Sequence, residues 1–243
     1  MLRKKVLILC PHPDDEIFTF PFINSDFLGA SSISVLFFIE SSIRKKEAQR
    51  SCLLNKWEAL FISDWGYKFI DSLIHQDYRH LNYILQKIFA DYEIIFSPLI
   101  EGGHQDHDTI GFCALKNSDN FKNKKIYFYP TYTSYGNLGL FSVMNSNNYG
   151  KTIFKELKKK FKHRPLKTFY YIFFVYKSQY LSWLLVSFPY ILNLLKNKPS
   201  KLYVLKESKM SNLEIFEQLK GIPLFERHKR CKQSNWKNSL NLN

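Results

Sequence analysis

The run Val6-Leu7-Ile8-Leu9-Cys10, followed at once by Pro11-His12-Pro13-Asp14-Asp15-Glu16, leaves few ways to fold. The six residues from Lys5 to Cys10 are too few for a stable helix, and Pro11 and Pro13 forbid continuing one. A buried parallel strand is the element that such a run fits. The polar cluster then sits just past the carboxyl end of the first strand, where open α/β sheets place their ligands. Two carboxylates and a histidine held in a proline-stiffened turn are the parts of a metal site with a base beside it.

A second cluster, Glu101-Gly102-Gly103-His104-Gln105-Asp106-His107-Asp108, lies about ninety residues on and also follows a strand-like run, Glu93 to Pro98. Alone, each cluster reads as a turn or a helix cap. Two such clusters, each at the end of an apolar strand, form a shared context that points to one site.

The Pro-His-Pro-Asp-Asp-Glu run and the later His-x-Asp-His resemble the PIG-L/LmbE-like family of zinc-dependent de-N-acetylases. The likeness rests on the two motifs with their order and spacing, on a weaker α/β pattern over about the first 130 residues, and on Tyr176-Lys177-Ser178-Gln179, similar to a Ser-Gln element near the end of many members. The resemblance implies that His12, Asp15 and His107 hold Zn2+, that Asp14 is the general base, and that His104 steadies the oxyanion or protonates the leaving amine. It further implies polar residues near the substrate on the helix after the second strand, with Arg44, Glu47 and Arg50 as candidates. Two positions depart from the pattern: Gln105 stands where many members have proline, and Gly102 where some carry tyrosine.

The chemistry follows from the residue types. Two histidines and one carboxylate leave a zinc ion with an open position, and the ion turns water into a nucleophile near neutral pH. Another divalent metal would suit the same ligands. A neighbouring carboxylate that is not a ligand can take the proton. Adjacent residues in an extended turn point in different directions, so Asp14 and Asp15 can split these roles. Spacing leaves open which does which; the resemblance assigns Asp15 to the metal. His104, three residues before His107, can stabilise charge on a substrate carbonyl oxygen. Asp106 is placed to accept a hydrogen bond from a ligand histidine and orient it. Glu16 either supports the cluster from behind or opens a helix.

The rest of the chain alternates strands and helices, predicting a Rossmann-like, mostly parallel sheet with helices on both faces. Strands are expected at Ile33–Ile39, Tyr67–Ile70 (with Asp71 at its end as a further substrate contact), Glu93–Phe96 and Lys125–Tyr129. Helices are expected to begin at Glu16 and to span Arg44–Ile62, Tyr78–Tyr92, His107–Leu115 and Lys151–Lys162. Residues 131–150 read as a long loop of the kind that forms lids. The 243 residues suit one domain, with residues 1–198 as the deacetylase-like domain and 199–243 as a basic extension packed on it. An amphipathic helix is expected around Met210–Leu219.

The basic start Met1–Lys5 precedes an apolar run too short for a secretory signal, and the four cysteines form no CxxC pair, so a cytoplasmic, reduced protein is expected. Charge is divided unevenly: residues 1–150 carry 15 Lys/Arg against 16 Asp/Glu, whereas residues 151–243 carry 20 against 5. The basic half is either lysine-rich solvated surface or a contact for an anionic membrane or a phosphate-bearing substrate. Phe169–Leu195 is aromatic but interrupted by polar residues, which fits core helices first and interfacial contact second. No nucleic-acid module or Gly-rich phosphate loop is present. The function these features favour is removal of acetyl from an N-acetylated amino sugar or a GlcNAc-containing glycoconjugate, as in surface-glycan biosynthesis. The alternatives are an inactive metal-binding protein and a peripheral membrane protein on the same scaffold.

Overall fold

In a computed structural model, residues 4–23, 25–28, 31–101, 103–118, 120–121, 123–131, 154–159, 161–162, 164–186, 200–205 and 233–240 are described. Strands β1 (Lys4–Cys10), β2 (Ser31–Phe37), β3 (Glu58–Phe61), β4 (Ile94–Pro98) and β5 (Lys125–Tyr129) are parallel. β6 (Phe154–Glu156) and β7 (Tyr203–Leu205) complete the sheet as antiparallel neighbours, in the order β3-β2-β1-β4-β5-β7-β6. This is the mostly parallel α/β sheet that the alternating pattern predicts. β7 lies between β5 and β6, so residues beyond 198 share the sheet.

Both faces are covered, which is why the central strands read as unbroken apolar runs. Leu7 and Leu9 pack on one side with α3 (Tyr78–Phe89), α4 (Gln105–Ser118) and Trp236 of α7 (Gln233–Ser239). Val6, Ile8 and Cys10 pack on the other, against Leu28 of the single turn α1 (Ser25–Leu28), Ala48 and Cys52 of α2 (Ser42–Asn55), and Tyr171, Ile172 and Trp183. The chain turns left of β1 to lay down β2 and β3, then returns to the other side for β4 and β5. The order therefore reverses between β1 and β4, and the crevice at their carboxyl ends is the topological switch point. Both motifs leave the sheet there.

Three expected elements are corrected. The helix from Arg44 to Ile62 stops at Asn55, because Lys56 adopts a left-handed conformation (φ 58°) whose N–H caps the Cys52 and Leu53 carbonyls. The remainder becomes edge strand β3, where Glu58 accepts a 2.6 Å hydrogen bond from Ser34. Tyr67–Ile70 is not a strand: β3 already holds the sheet edge, and the segment runs unpaired toward the site. Among the described residues of the expected Lys151–Lys162 helix, none is helical. Phe154–Glu156 pairs with β7, and Phe161 bridges to Ser200; lysines crowded at 158–160 and 162 would repel one another along a helix. The start at Glu16 is a 3₁₀ turn over Asp15–Thr19. The expected loop from 132 to 150 and the Met210–Leu219 helix lie outside the described residues.

Helix α4 is drawn tightly onto β4. A methyl group at Gly111 would come 2.6 Å from the Pro98 carbonyl oxygen, too close to backbone to relax cheaply. Gly111→Ala should push α4, which carries His107 one turn earlier, off the strand end. The expected loss is about 1–3 kcal/mol, the usual cost of overpacking, measurable by urea unfolding. Unchanged stability would show that the contact yields.

Candidate metal centre

The first motif turns sharply after β1. Asp14 takes a positive φ of 98°, rare outside glycine and better tolerated by aspartate than by bulky residues. Its N–H donates to Glu16 Oε2 at 3.1 Å, and the Arg44 guanidinium donates to the Pro13 carbonyl and to Asp14 Oδ1. The second oxygen of Asp14 accepts from the Trp183 indole N–H at 2.9 Å. Burial pushes the Asp14 carboxyl up to about 7, against the opposing pull of Arg44.

Asp15 turns inward. Its Oδ2 accepts from the His12 backbone N–H at 2.8 Å and lies 3.2 Å from His107 Nε2 and 3.6 Å from His12 Nδ1. The two ring nitrogens are 3.4 Å apart. Burial raises the Asp15 carboxyl, but the facing histidines more than reverse this and hold it far below the usual range. Three ligand atoms from β1's turn and α4 thus form one small, buried triangle. Tetrahedral bonds of 2.0–2.1 Å put zinc ligands about 3.3–3.4 Å apart, so the triangle has the dimensions of three corners of such a site.

The far side of each ring faces oxygen atoms. His12 Nε2 is 3.3 Å from Asp106 Oδ2 and 3.3 Å from Asp71 Oδ1. His107 Nδ1 is 3.2 Å from Thr131 Oγ1, whose hydroxyl donates to Glu101 Oε2 at 3.2 Å, so that oxygen is left to accept from the ring. With a proton on the far nitrogen of each ring, His12 Nδ1 and His107 Nε2 would turn lone pairs toward Asp15 Oδ2, and this donor set fits zinc or a similar divalent ion. Asp15 Oδ1, also buried, has no hydrogen-bond partner among the described residues.

Asp106 is a fixed acceptor, held by the Ser72 N–H at 2.7 Å and the Ile74 N–H at 3.3 Å. Burial works against its charge, yet the His12 contact leads the forces that lower its carboxyl. His104 lies edge-on to His12, with ring centroids 5.1 Å apart, and its Nδ1 accepts from the Asp106 N–H at 3.2 Å. That bond leaves the proton of the neutral ring on Nε2. Gln105, the first residue of α4, occupies a position that also suits proline, and its amide donates to the Ser72 carbonyl at 2.8 Å.

Most residues expected at the site meet here: His12, Asp14, Asp15, Glu16, Arg44, Asp71, His104, Asp106 and His107. Arg50 does not. It is exposed on α2, about a third of a turn around the helix from Arg44, and has no hydrogen bond or ion pair with the site among the described residues. Glu16 lies wholly buried behind the turn, where its Oε1 accepts from Ser51 and Tyr176 hydroxyls, each at 2.5 Å. Burial pushes its carboxyl up to about 7, with those two hydrogen bonds resisting. Ser178 donates through N–H and hydroxyl to Glu47 at 2.9 and 2.6 Å, anchoring the Ser-Gln element on α2.

Sequence reasoning gave no role to Glu101 or Thr131, although Glu101 opens the second motif. Trp183 falls in the stretch Phe169–Leu195, read first as core and second as interfacial; it is buried, with its indole N–H on Asp14. No local signal marks it, because the contact spans 169 positions.

The fold is that of solved deacetylase structures, as the following likenesses show. A deacetylase from teicoplanin biosynthesis, solved as a bog complex, matches with TM-score 0.60 and 12% identity, over 84% of this chain and 100% of that one. The zinc-inhibited form of teicoplanin deacetylase Orf2 matches with TM-score 0.58 and 12% identity over the same shares. The A40926 pseudoaglycone deacetylase Dbv21 matches with TM-score 0.57 and 10% identity, over 86% of this chain and 100% of that one. No family model matches the chain, and neither does any curated protein. At these identities the likeness is one of fold.

Tyr176→Phe deletes one donor to buried Glu16 while keeping the ring. It should cost about 1–3 kcal/mol, the penalty for an under-satisfied buried acceptor, read by urea unfolding. A variant as stable as the parent would mean that Ser51 and the Asp14 N–H satisfy Glu16 alone.

Proposed function

We propose that this chain is a metal-dependent de-N-acetylase acting on an N-acetylated amino sugar, with Zn2+ or a related divalent ion held by His12, Asp15 and His107. The observation that carries the reading is the buried triangle of His12 Nδ1, Asp15 Oδ2 and His107 Nε2, with edges of 3.2, 3.4 and 3.6 Å, beside a carboxylate that belongs to none of its corners. The shared fold with deacetylases of glycopeptide-antibiotic pathways supports it, as does the resemblance of both motifs to PIG-L/LmbE-like enzymes.

When bound, such an ion supplies Lewis-acid polarisation of the amide carbonyl and of the attacking water. Asp14 takes the proton from that water. Each of its oxygens has one donor, Arg44 or Trp183, and keeps a lone pair for the proton. Water oxygen bonds to the acetyl carbon, and the C–N bond breaks. His104, through its Nε2 proton, steadies the carbonyl oxygen, and the proton taken up by Asp14 passes to the departing amine. Asp106 and the Thr131–Glu101 pair hold the two rings in the ligand tautomer. Asp71, with its side chain largely exposed beside His12, is placed for a sugar hydroxyl.

Elemental analysis should find about one metal per chain, lost in His12→Ala and His107→Ala. Wild-type metal content in both would remove the assignment. Asp106→Asn should weaken metal affinity roughly 10–100-fold by loosening the His12 ring. Asp14→Asn should keep the metal but lower turnover of an N-acetylated sugar panel by roughly two to four orders of magnitude. Trp183→Phe should lower kcat and leave metal content intact. Full activity of Asp14→Asn would sink the base assignment.

A further inference from the structure

We propose that the outward face of residues 165–182 is a docking surface for an anionic lipid bilayer. The helical segment from Pro165 to Val175 combines α5 (Pro165–Tyr170) with a wider π-helical turn over Tyr171–Val175, and α6 (Tyr180–Val186) follows shortly after. The wider turn brings Tyr171, Ile172, Val175 and Tyr176 inward together. The other face carries large apolar side chains into solvent: Leu166 is 86% exposed, Phe174 57%, Leu181 58%, and Tyr170, Phe173 and Tyr180 about 40%. Leu166, Tyr170, Phe173 and Phe174 recur at helical spacing, and the Tyr170 and Phe174 rings stack at 5.6 Å, so this is one continuous patch.

An apolar patch of this kind on a helix normally marks a partner. Charge identifies which kind. From residue 157 to 206 the chain has eleven Lys and Arg and not one Asp or Glu. Lys162, Arg164 and Lys177 are exposed at or beside the patch. Aromatic rings and leucine flanked by these cations, with the Glu47 carboxylate already taken by Ser178, match the headgroup region of an anionic bilayer. No described helix is long and apolar enough to cross a membrane, so the segment would lie on the surface. The same segment reaches inward through Tyr176 to Glu16 and through Trp183 to Asp14. A docked bilayer would thus stand one helix away from the proposed metal centre.

The test is cosedimentation of the full chain with vesicles of phosphatidylcholine alone or with about one-third phosphatidylserine, at low and high salt. The readout is binding, so it is independent of deacetylase turnover. Binding to the anionic vesicles at low salt, falling as salt rises, is expected. The double variant Phe174→Ser/Leu181→Ser should bind at least about tenfold more weakly, since it removes buried apolar contact at the interface. Tyr83→Ser, on α3 in the opposite layer, should bind like the parent. No binding to anionic vesicles at low salt, or parental binding by the double variant, overturns the proposal. So does self-association without lipid that the double variant abolishes, which would make the face an interface between copies.

Discussion

The site depends on holding Asp14 in a backbone conformation that aspartate does not favour. A left-handed residue between Pro13 and Asp15 turns the chain so that successive carboxylates face different ways, Asp15 toward the histidines and Asp14 away from them. Such a conformation costs on the order of 1–3 kcal/mol and persists only where its surroundings over-determine it. Here Glu16 takes the Asp14 N–H, Arg44 clasps the Pro13 carbonyl and one carboxylate oxygen, and Trp183 holds the other. Two of these three restraints come from distant elements, so folding of α2 and of the segment after Tyr176 completes a turn that the first strand only begins.

That dependence explains the burial of Glu16. An ionised carboxylate with no exposure is expensive unless its lone pairs are filled. Ser51, Tyr176 and the Asp14 N–H fill them. Each donor comes from a different part of the chain, and Glu16 therefore acts as the point where β1's turn, α2 and the C-terminal half are fastened together. Loss of any one donor would leave the other two with a carboxylate whose charge burial already disfavours.

Much of this was legible in the sequence, for physical reasons. The first strand, the paired motifs at strand ends and α3 are local signals: a proline-bounded apolar run, titratable residues in tight clusters, and Leu81, Ile84, Leu85 and Phe89 at helical spacing. What escaped was decided by contacts across the chain. Lys56 ends α2 by a backbone conformation that its side chain does not announce. Trp57, Leu60 and Phe61 continue a helical face as readily as they fill an edge strand. Asp71 reaches His12 because the segment before it stays out of the sheet, which depends on β3 having taken the edge. Trp183 looks in sequence like its aromatic neighbours, yet it alone among Tyr180, Leu181 and Trp183 turns inward.

The uneven charge of the chain does not divide the structure. The neutral half supplies the three converging atoms that could hold an ion, and it supplies Asp106, Thr131 and Glu101 beside their rings. The basic half supplies an indole N–H to Asp14 and a phenol to Glu16, along with two antiparallel strands of the sheet. Arg44 already sets one cation 3.1 Å from Asp14 Oδ1, and the indole N–H orients the other oxygen without adding a second charge. The lysines are instead left for the surface, and the helical segment that carries Tyr176 and Trp183 separates the two chemistries across its own width: hydrogen-bond donors toward the buried carboxylates, and aromatic rings flanked by cations toward the outside.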